Sequence, residues 1–566
     1  MRRFFTYAGL ALTIGLASCS QDFLNKNPQG SLSDDKLANP EGLDVLLVGA
    51  YAPLDGWTGQ GAAWQASASN WVYGDVIADD AYKGTDVGDQ PQINPIERFQ
   101  ATPDNDYFLG KWRAVYEGIA RANSVLRIAG ITEGLDANAL TQYQAEARFL
   151  RAHYHFEAKK MYDNVVFVDE TMTTDEQLLI PNDKDVWPQI VADFQYAMEN
   201  LPPAQDQTGR ATKWAAQAFL AKAYMFQGNH AAAKPLLDGI MNEGPFDLFD
   251  CYHDNFNTAN NNGIEAIFQV QNSVNDGAVG ENGNWGDVLN YPYTGGPGTC
   301  CGFHQPSQNL VNAYQTDADG LPLLDSFNDS DVKNDVGIAS TDAFDPHTGS
   351  LDPRLDWTVG RRGIPYLDWG NHPGQDWIRD QNYGGPYSPK KRVFYQSESG
   401  NTSTASGWAQ GPNANNTNLI RYADVILWRA EVAVDEGDLS TALDLVNQIR
   451  TRAAGCVVEN EDGTPAANYN VQPYASFPDA DYAMKAVQME RRLELAMEGH
   501  RFFDLVRWGI AAQVMNDYLS VEATKRNYLT GASFVAGKHE YFPIPQQEID
   551  LSFFNGEYQL KQNNGY

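Results

Sequence analysis

The chain has 566 residues and a formal net charge of −33, from 73 acidic and 40 basic residues. A chain this acidic repels nucleic acid and anionic membrane surfaces, so neither is an expected partner. The length allows one large core or several domains. Aromatic residues make up 12% of the chain, with 13 Trp and 28 Tyr, which leaves some beyond what a core needs for packing.

The first 18 residues have the pattern of a lipoprotein signal peptide. Two arginines precede an apolar stretch that is shorter than the roughly 20 residues a membrane span requires. Small residues then lead to Cys19, as at the acylation site of bacterial lipoproteins. We expect the mature chain to be held to a membrane by a lipid on Cys19, with residues 19–40 as its tether. An ordinary secretory signal is the alternative.

Helical periodicity occupies both ends of the chain. Amphipathic runs at 41–51, 111–129, 140–161 and 187–200 predict four helices. No segment beyond the signal peptide is apolar enough to predict a membrane span.

Two further segments have tetratricopeptide-repeat spacing, in which small residues let paired helices approach and a glycine turns the chain between them. The first copy comprises Leu220, Ala221, Tyr224, Gly228, Ala233, Leu237, Ile240 and Pro245, and the second Ala430, Ala433, Gly437, Ala442, Val446 and Ile449. Two copies predict a mostly α fold with a tetratricopeptide-like helical-repeat scaffold.

The middle of the chain differs in character. Gly, Asn, Asp and Pro are dense over 251–412, and helical periodicity is lost. A long irregular segment in a compact protein usually has a function. We predict one domain over 41–566, with a helical scaffold at 41–250 and 413–566 and a large irregular, loop-rich ligand-binding subdomain at 251–412.

Catalytic motifs are nearly absent from the sequence. It contains no His-Glu-x-x-His, Gly-x-Ser-x-Gly or phosphate-loop pattern. Glu490, Glu494 and Glu498 recur at helical spacing and could act as acid and base. Arg491, Arg492 and Arg501 accompany them, which favours a structural ion network. We therefore expect no enzyme, with a surface glycoside hydrolase as the less favoured alternative.

Metal binding has one candidate. Asp325, Asp329, Asp331 and Asp335 could hold a structural calcium ion through oxygen ligands, although the full EF-hand pattern is missing. A solvated acidic loop is the favoured interpretation, and no other metal or cofactor is expected.

Beyond Cys19 the chain has four cysteines, Cys251, Cys300, Cys301 and Cys456. Four cysteines allow three pairings, and an oxidising compartment permits each of them. We expect a structural role for these cysteines, and the pairing stays open at this stage.

Aromatic residues crowd three polar stretches, at 57–82, 285–303 and 357–377. Rings in polar loops can stack on the apolar faces of sugar rings, while neighbouring polar groups bind the hydroxyls. Packing that anchors the loops is the alternative for each ring. The candidate stacking residues are Trp64, Trp71, Tyr73, Trp285, Tyr291, Tyr293 and Trp369, and the candidates for hydroxyl or carboxylate contacts are Arg361 and Arg362.

Five segments together resemble the SusD/RagB family of Bacteroidetes outer-membrane lipoproteins. They are KWRAVYEGIARANSVL (111–126), AEARFLRAHYHFEAKKMY (145–162), LIRYADVILWRAEVAVDEGD (419–438), MERRLELAMEGHRFFDLVRWG (489–509) and EYFPIPQQEID (540–550). The resemblance extends over nearly the whole mature chain.

The resemblance implies a single helical-repeat domain with an irregular subdomain that carries the ligand site. It also implies a non-enzymatic binder, anchored in the outer membrane and facing the cell exterior. Such a binder captures oligosaccharide or polysaccharide and passes it to a SusC-like TonB-dependent transporter. A peptide-capturing member of the same family is the alternative. The family's motifs do not name the ligand.

Overall fold

The structure is a computed structural model of the full chain. It describes residues 33–177, 179–278, 282–298, 300–403 and 411–566. The predicted signal peptide, Cys19 and most of the predicted tether lie outside the described residues. Within the described ranges, every helix is too short or too polar to cross a membrane.

Helices dominate the two ends of the chain, as the sequence predicts. The helices of the first half are α1 (Asp34–Leu37), α2 (Pro40–Tyr51), α3 (Ile93–Glu97), α4 (Asp106–Ala129), α5 (Ala137–Tyr162), α6 (Thr174–Gln177), α7 (Trp187–Asn200), α8 (Lys213–Phe226) and α9 (His230–Glu243). Those of the second half are α10 (Gln308–Ala313), α11 (Arg354–Thr358), α12 (Gln381–Gly384), α13 (Tyr422–Asp435), α14 (Leu439–Ala454), α15 (Ala480–Leu495), α16 (Arg501–Arg507), α17 (Ala511–Glu522) and α18 (Gln546–Leu551).

Side chains fix where the long helices begin. The side chain of Asn105 accepts a hydrogen bond from the backbone N–H of Tyr107 at the start of α4. Asp136 accepts from two backbone N–H groups at the start of α5. These caps satisfy donors that have no partner within the helix. The predicted helices at 111–129 and 140–161 are confirmed, and each begins a few residues earlier than its apolar pattern suggests.

Both predicted repeats form helical hairpins. Helix α8 packs on α9, α13 packs on α14, and the two hairpins meet where α9 contacts α13. Gly228 and Gly437 lie in the two turns with φ of +65° and +77°, a backbone region that favours glycine. The helical-repeat fold class is therefore confirmed. Helices α4, α5 and α7 extend the stack in front of α8.

Four short antiparallel strand pairs brace the loops. They are β1 (Ala81–Gly84) with β3 (Phe303–Pro306), β2 (Ala266–Val270) with β6 (Thr417–Arg421), β4 (Val359–Gly360) with β5 (Ser388–Pro389), and β7 (Phe553–Phe554) with β8 (Glu557–Tyr558). The pairing of β1 with β3 holds the loop after α2 against the loop-rich middle. The pairing of β2 with β6 holds both ends of that middle together.

Two disulfide bonds resolve the pairing of the cysteines. Cys251 bonds Cys456, and Cys300 bonds its neighbour Cys301. The first bond ties the start of the loop-rich middle to the residue two places beyond α14. Between Glu243 and Tyr422, the longest described α-helix is the six-residue α10.

A buried ion network joins the middle to the helices. Glu494 contacts Arg354, Arg421 and Arg452, and the side chain of each is at most 4% exposed. The glutamates at 490–498 therefore take part in a structural ion network, as predicted, but with other partners. Their basic partners lie outside the motif at 489–509. The arginines of the motif pair with aspartates instead: Arg491 with Asp424 and Asp504, and Arg492 and Arg501 with Asp79.

Candidate functional site

One pair of tryptophans stands at the surface of two loops. The Trp57 and Trp285 rings meet edge to face, with centroids 5.2 Å apart and planes at 74°. Trp57 is 37% exposed and Trp285 is partly buried. The backbone N–H of Trp57 donates to the Asp55 carboxylate over 2.6 Å, which fixes the turn that presents the ring. An edge-to-face pair holds both rings in place while part of the Trp57 face stays in contact with solvent.

Asp55 lies at the base of this turn. Burial raises the pKa of its carboxyl group to about 6, although the Trp57 N–H and Arg121 oppose the shift. A carboxyl group with this pKa is mostly ionised at neutral pH and gains protons in mildly acidic medium. The turn that carries Trp57 therefore contains a group that titrates above the usual range for aspartate.

Trp64 lies in the same loop region and is partly buried. Its indole Nε1 donates to the side-chain oxygen of Gln90 over 3.3 Å, and the Tyr107 hydroxyl donates to the same oxygen over 2.8 Å. Only part of the Trp64 ring is therefore accessible to a ligand, and its indole N–H is hydrogen-bonded within the protein.

A second partly exposed aromatic surface surrounds Tyr293 and Trp377. The Arg379 guanidinium lies 5.0 Å from the centre of the Tyr293 ring, and the Tyr293 N–H donates to the Trp377 carbonyl over 3.0 Å. The Trp377 ring lies so close to Gly295 and Gly296 that a Cβ on either would come within 2.5 Å of it. Only glycine permits this approach.

Two aspartates hold Arg379 in this position. Its guanidinium pairs with Asp86 at 2.7 Å and with Asp89 at 2.6 Å, and it donates to the Thr85 hydroxyl over 2.9 Å. Because these acceptors come from the loop after β1, Arg379 joins that loop to the Tyr293 segment. The arginine is tied to carboxylates of the protein, and its guanidinium lies over the Tyr293 ring.

Trp369 is partly buried and anchors its own loop. Its Nε1 donates to the Phe394 carbonyl over 2.9 Å, and its ring meets the Phe394 ring edge to face at 5.7 Å. The structure describes no contact between Trp369 and either aromatic pair above.

Three of the candidate stacking residues are wrong because their rings are buried. Trp71 is fully buried, with its Nε1 donating to the Gly286 carbonyl. Tyr73 is 1% exposed, and its hydroxyl lies 2.7 Å from the Gln65 carbonyl oxygen. Tyr291 is 2% exposed and accepts from the Asn413 amide. These rings pack the interior and offer no face to a ligand.

The two candidate arginines are wrong for a related reason. Arg361 is 3% exposed and forms a two-pronged ion pair with Asp356. Arg362 is 7% exposed and donates to the carbonyls of Ile338, Ser340 and Asp342. Both guanidinium groups are engaged in holding loops together.

Three of the four aspartates of the candidate calcium site each pair with a different basic residue. Asp325 pairs with Lys485 and Asp331 with Lys525, whereas Asp335 lies near Arg362. Among the described residues, no cluster of three or more His, Cys, Asp or Glu side chains could hold a metal ion. The structure therefore does not assemble the calcium site that the spacing suggests.

Two residues of the exposed surfaces are not singled out by sequence reasoning. Trp57 and Arg379 lie in polar stretches like many residues that are buried. For the surface around Trp377 the sequence does contain a local signal, the adjacent glycines Gly295 and Gly296. Adjacent glycines in an aromatic-rich loop often mark a place where another group approaches the backbone closely. Exposure itself depends on packing between distant segments.

The stacked helical hairpins make this a helical-repeat protein. The loops that they support carry partly exposed aromatic rings, which form a candidate binding face. The chain belongs to the SusD family, whose model matches residues 264–566. A second family model, described as starch-binding associating with outer membrane, matches residues 22–225. The resemblance noted from the sequence is thus confirmed.

Sequence relatives support membership of the SusD family. The chain is 26% identical to the SusD-like protein P25 of Formosa agariphila, covering 97% of each chain. It is 23% identical to a SusD-like protein of Bacteroides ovatus, covering 87% of this chain and 80% of the other.

Solved structures share the fold. A solved laminarin-binding SusD-like protein matches with a TM-score of 0.66 at 24% identity, covering 93% of this chain and all of the other. Surface glycan-binding protein A from Bacteroides thetaiotaomicron, solved with laminarihexaose, matches with a TM-score of 0.65 at 21% identity and the same coverage. At these identities the likeness shows the fold.

Proposed function

We propose that this protein is a cell-surface glycan-binding lipoprotein, held to the outer membrane through Cys19. It captures oligosaccharides and delivers them to a SusC-like TonB-dependent transporter. The observation that carries the proposal is the Trp57–Trp285 pair, which sets a partly exposed ring at the meeting point of two distant loops. Sugar rings suit such a surface because each has an apolar face and a polar rim.

The relatives suggest which ligand to test first. Of two solved proteins with the same fold, one binds laminarin and the other was solved with laminarihexaose. We therefore propose a β-linked glucan as the first candidate ligand and an oligomer as the preferred form. Each stacked ring contributes modestly, so a chain that contacts several rings binds more tightly than a single sugar.

The binding test uses the mature chain without residues 1–19. Isothermal titration with laminarihexaose and a panel of other oligosaccharides is compared between the wild type and the Trp57→Ala/Trp285→Ala variant. We expect the double variant to bind at least about tenfold more weakly, which corresponds to roughly 1.4 kcal/mol. The matched control is Trp187→Ala, a partly buried tryptophan on α7, and it should bind like the wild type.

Two outcomes would overturn the proposal. One is a wild type that binds none of the glycans but binds peptides from a digested protein mixture. The other is a double variant that is folded and keeps full affinity for the glycan. The first outcome would indicate peptide capture, and the second would move the binding site away from Trp57 and Trp285.

The transporter partner requires a separate experiment. Cross-linking on intact cells, followed by purification of this protein from outer membranes, should recover a TonB-dependent barrel protein in a fixed ratio. Replacing Cys19 by Ala should release the protein from the membrane fraction and reduce that recovery. Recovery of this protein alone from intact cells would contradict the proposed partnership.

A further inference from the structure

The Cys300–Cys301 disulfide cannot act as most disulfides do. A disulfide stabilises a fold mainly by limiting the loop that the unfolded chain can explore, and the effect grows with the number of residues enclosed. These two cysteines are adjacent, with a sequence separation of 1. Their bond therefore encloses no loop, and its effect is local. It joins two side chains into one closed ring of fixed position.

Backbone hydrogen bonds place this ring at the edge of the β1–β3 pair. The N–H of Gly302 donates to the Tyr291 carbonyl over 2.9 Å, and the Gly302 carbonyl accepts from Thr85 over 2.6 Å. Cys301 is 3% exposed, whereas Cys300 is partly exposed. One side of the ring is thus embedded in the protein and the other reaches the surface.

The ring lies next to the segment that carries Tyr293. A Cβ on Gly302 would stand 3.4 Å from the Cβ of Tyr293, so the two segments are in contact. Thr85, which donates to Gly302, also accepts from Arg379, and Arg379 covers the Tyr293 ring. The disulfide ring, Tyr293 and Arg379 are therefore neighbours in one region of the fold.

The chemistry of the ring suits a saccharide. Sulfur is polarisable, and a disulfide side chain has no strong hydrogen-bonding group, so it behaves as a small apolar surface. The C–H face of a sugar ring needs such a contact, next to a group that defines its orientation. We propose that the Cys300–Cys301 ring contacts the bound glycan next to Tyr293. This inference rests on the proposed glycan-binding function.

The test compares laminarihexaose affinity in the wild type, Cys300→Ala/Cys301→Ala and Cys300→Ser/Cys301→Ser. We expect each pair of substitutions to weaken binding about threefold to tenfold. The melting temperature should stay near that of the wild type, because the bond encloses no loop. Should a double variant fail to fold, the single Cys300→Ser variant, which opens the ring at its partly exposed residue, replaces it.

A double-mutant cycle separates contact from positioning. If the ring contacts the glycan, removing it in a Tyr293→Ala background weakens binding further. No additional loss in that background would show that the ring merely positions Tyr293, and would overturn the proposed contact. Unchanged affinity in both cysteine variants would also overturn it. If the wild type binds no glycan at all, the proposed function itself fails, which is a distinguishable result.

Discussion

Glu494 accepts a hydrogen bond from Arg421 over 2.6 Å at a place where neither side chain exposes any surface. Arg421 is the last residue of β6, and Glu494 lies near the end of α15. Arg354 of α11 reaches the same carboxylate at 3.1 Å. This ion cluster therefore joins the loop-rich middle to the helical scaffold.

Replacing Glu494 by Gln should destabilise the protein strongly. The variant keeps the size of the side chain but leaves Arg354, Arg421 and Arg452 short of a buried negative charge. Breaking a buried ion pair from one side costs about 3–5 kcal/mol. Urea unfolding of the purified protein measures this cost as a fall in the free energy of unfolding.

The matched control is Asp325→Asn, which removes an exposed ion pair with Lys485. Exposed pairs contribute little because water screens both charges. We expect its unfolding curve to coincide with that of the wild type. Equal curves for Glu494→Gln and the wild type would contradict a stabilising role for the buried cluster.

Glu498 should make stability depend on acidity below about pH 4.5. Burial opposes its charged form, but Arg421 and Lys391 outweigh burial and lower its pKa to about 2. A depressed carboxyl pKa contributes stability that is complete above the ordinary value and lost as the pH falls through about 2. We expect Glu498→Gln to be less stable than the wild type at pH 7 and to lose less stability between pH 4.5 and pH 3. Equal losses in both proteins would argue against this assignment.

Asp55 should make stability depend on pH in the opposite direction. Its pKa is raised to about 6, so the folded state favours the protonated form. Stability from this group is complete below the ordinary value of about 3.8 and lost as the pH rises through about 6. Asp55→Asn keeps an oxygen that can accept from Trp57 but does not ionise. We expect the melting temperature of the variant, relative to that of the wild type, to increase as the pH rises from 4 to 8. A constant difference across this range would refute the raised pKa.

Removing the Cys251–Cys456 bond should lower global stability. This disulfide spans a sequence separation of 205, and bonds across long loops restrict the unfolded chain most. We expect Cys251→Ser/Cys456→Ser to lose roughly 2–5 kcal/mol of unfolding free energy. The Cys300→Ala/Cys301→Ala variant is the matched comparison and should lose little. A larger loss of unfolding free energy in Cys300→Ala/Cys301→Ala than in Cys251→Ser/Cys456→Ser would show that loop length does not determine how strongly each bond stabilises the protein.

Much of the scaffold could be predicted from local sequence. The apolar spacing in 111–129 and 140–161 fixes two helices, because one face of each must be buried. Gly228 and Gly437 mark the turns of the two hairpins, since the chain adopts positive φ there. Family membership also follows from the sequence, because the motifs are continuous segments. The ends of the helices do not follow from the apolar spacing, because capping side chains decide where a helix begins.

The binding face could not be predicted to the same extent. Trp57 and Trp71 lie in the same polar stretch, yet Trp57 is 37% exposed and Trp71 is fully buried. Nothing in the local pattern distinguishes them. Trp71 packs on Phe303 of β3, whereas Trp57 meets Trp285 at the surface. Which ring is covered depends on where distant segments arrive.

The sequence by itself determined the helical scaffold, the acidic character and the family of this protein, because these follow from local periodicity, composition and contiguous motifs. The tertiary structure alone decided which aromatic rings reach the surface, which arginines are neutralised in the interior and which cysteines pair. These properties depend on contacts between residues far apart in the chain. The burial of a side chain is set by the partners that the fold brings to it.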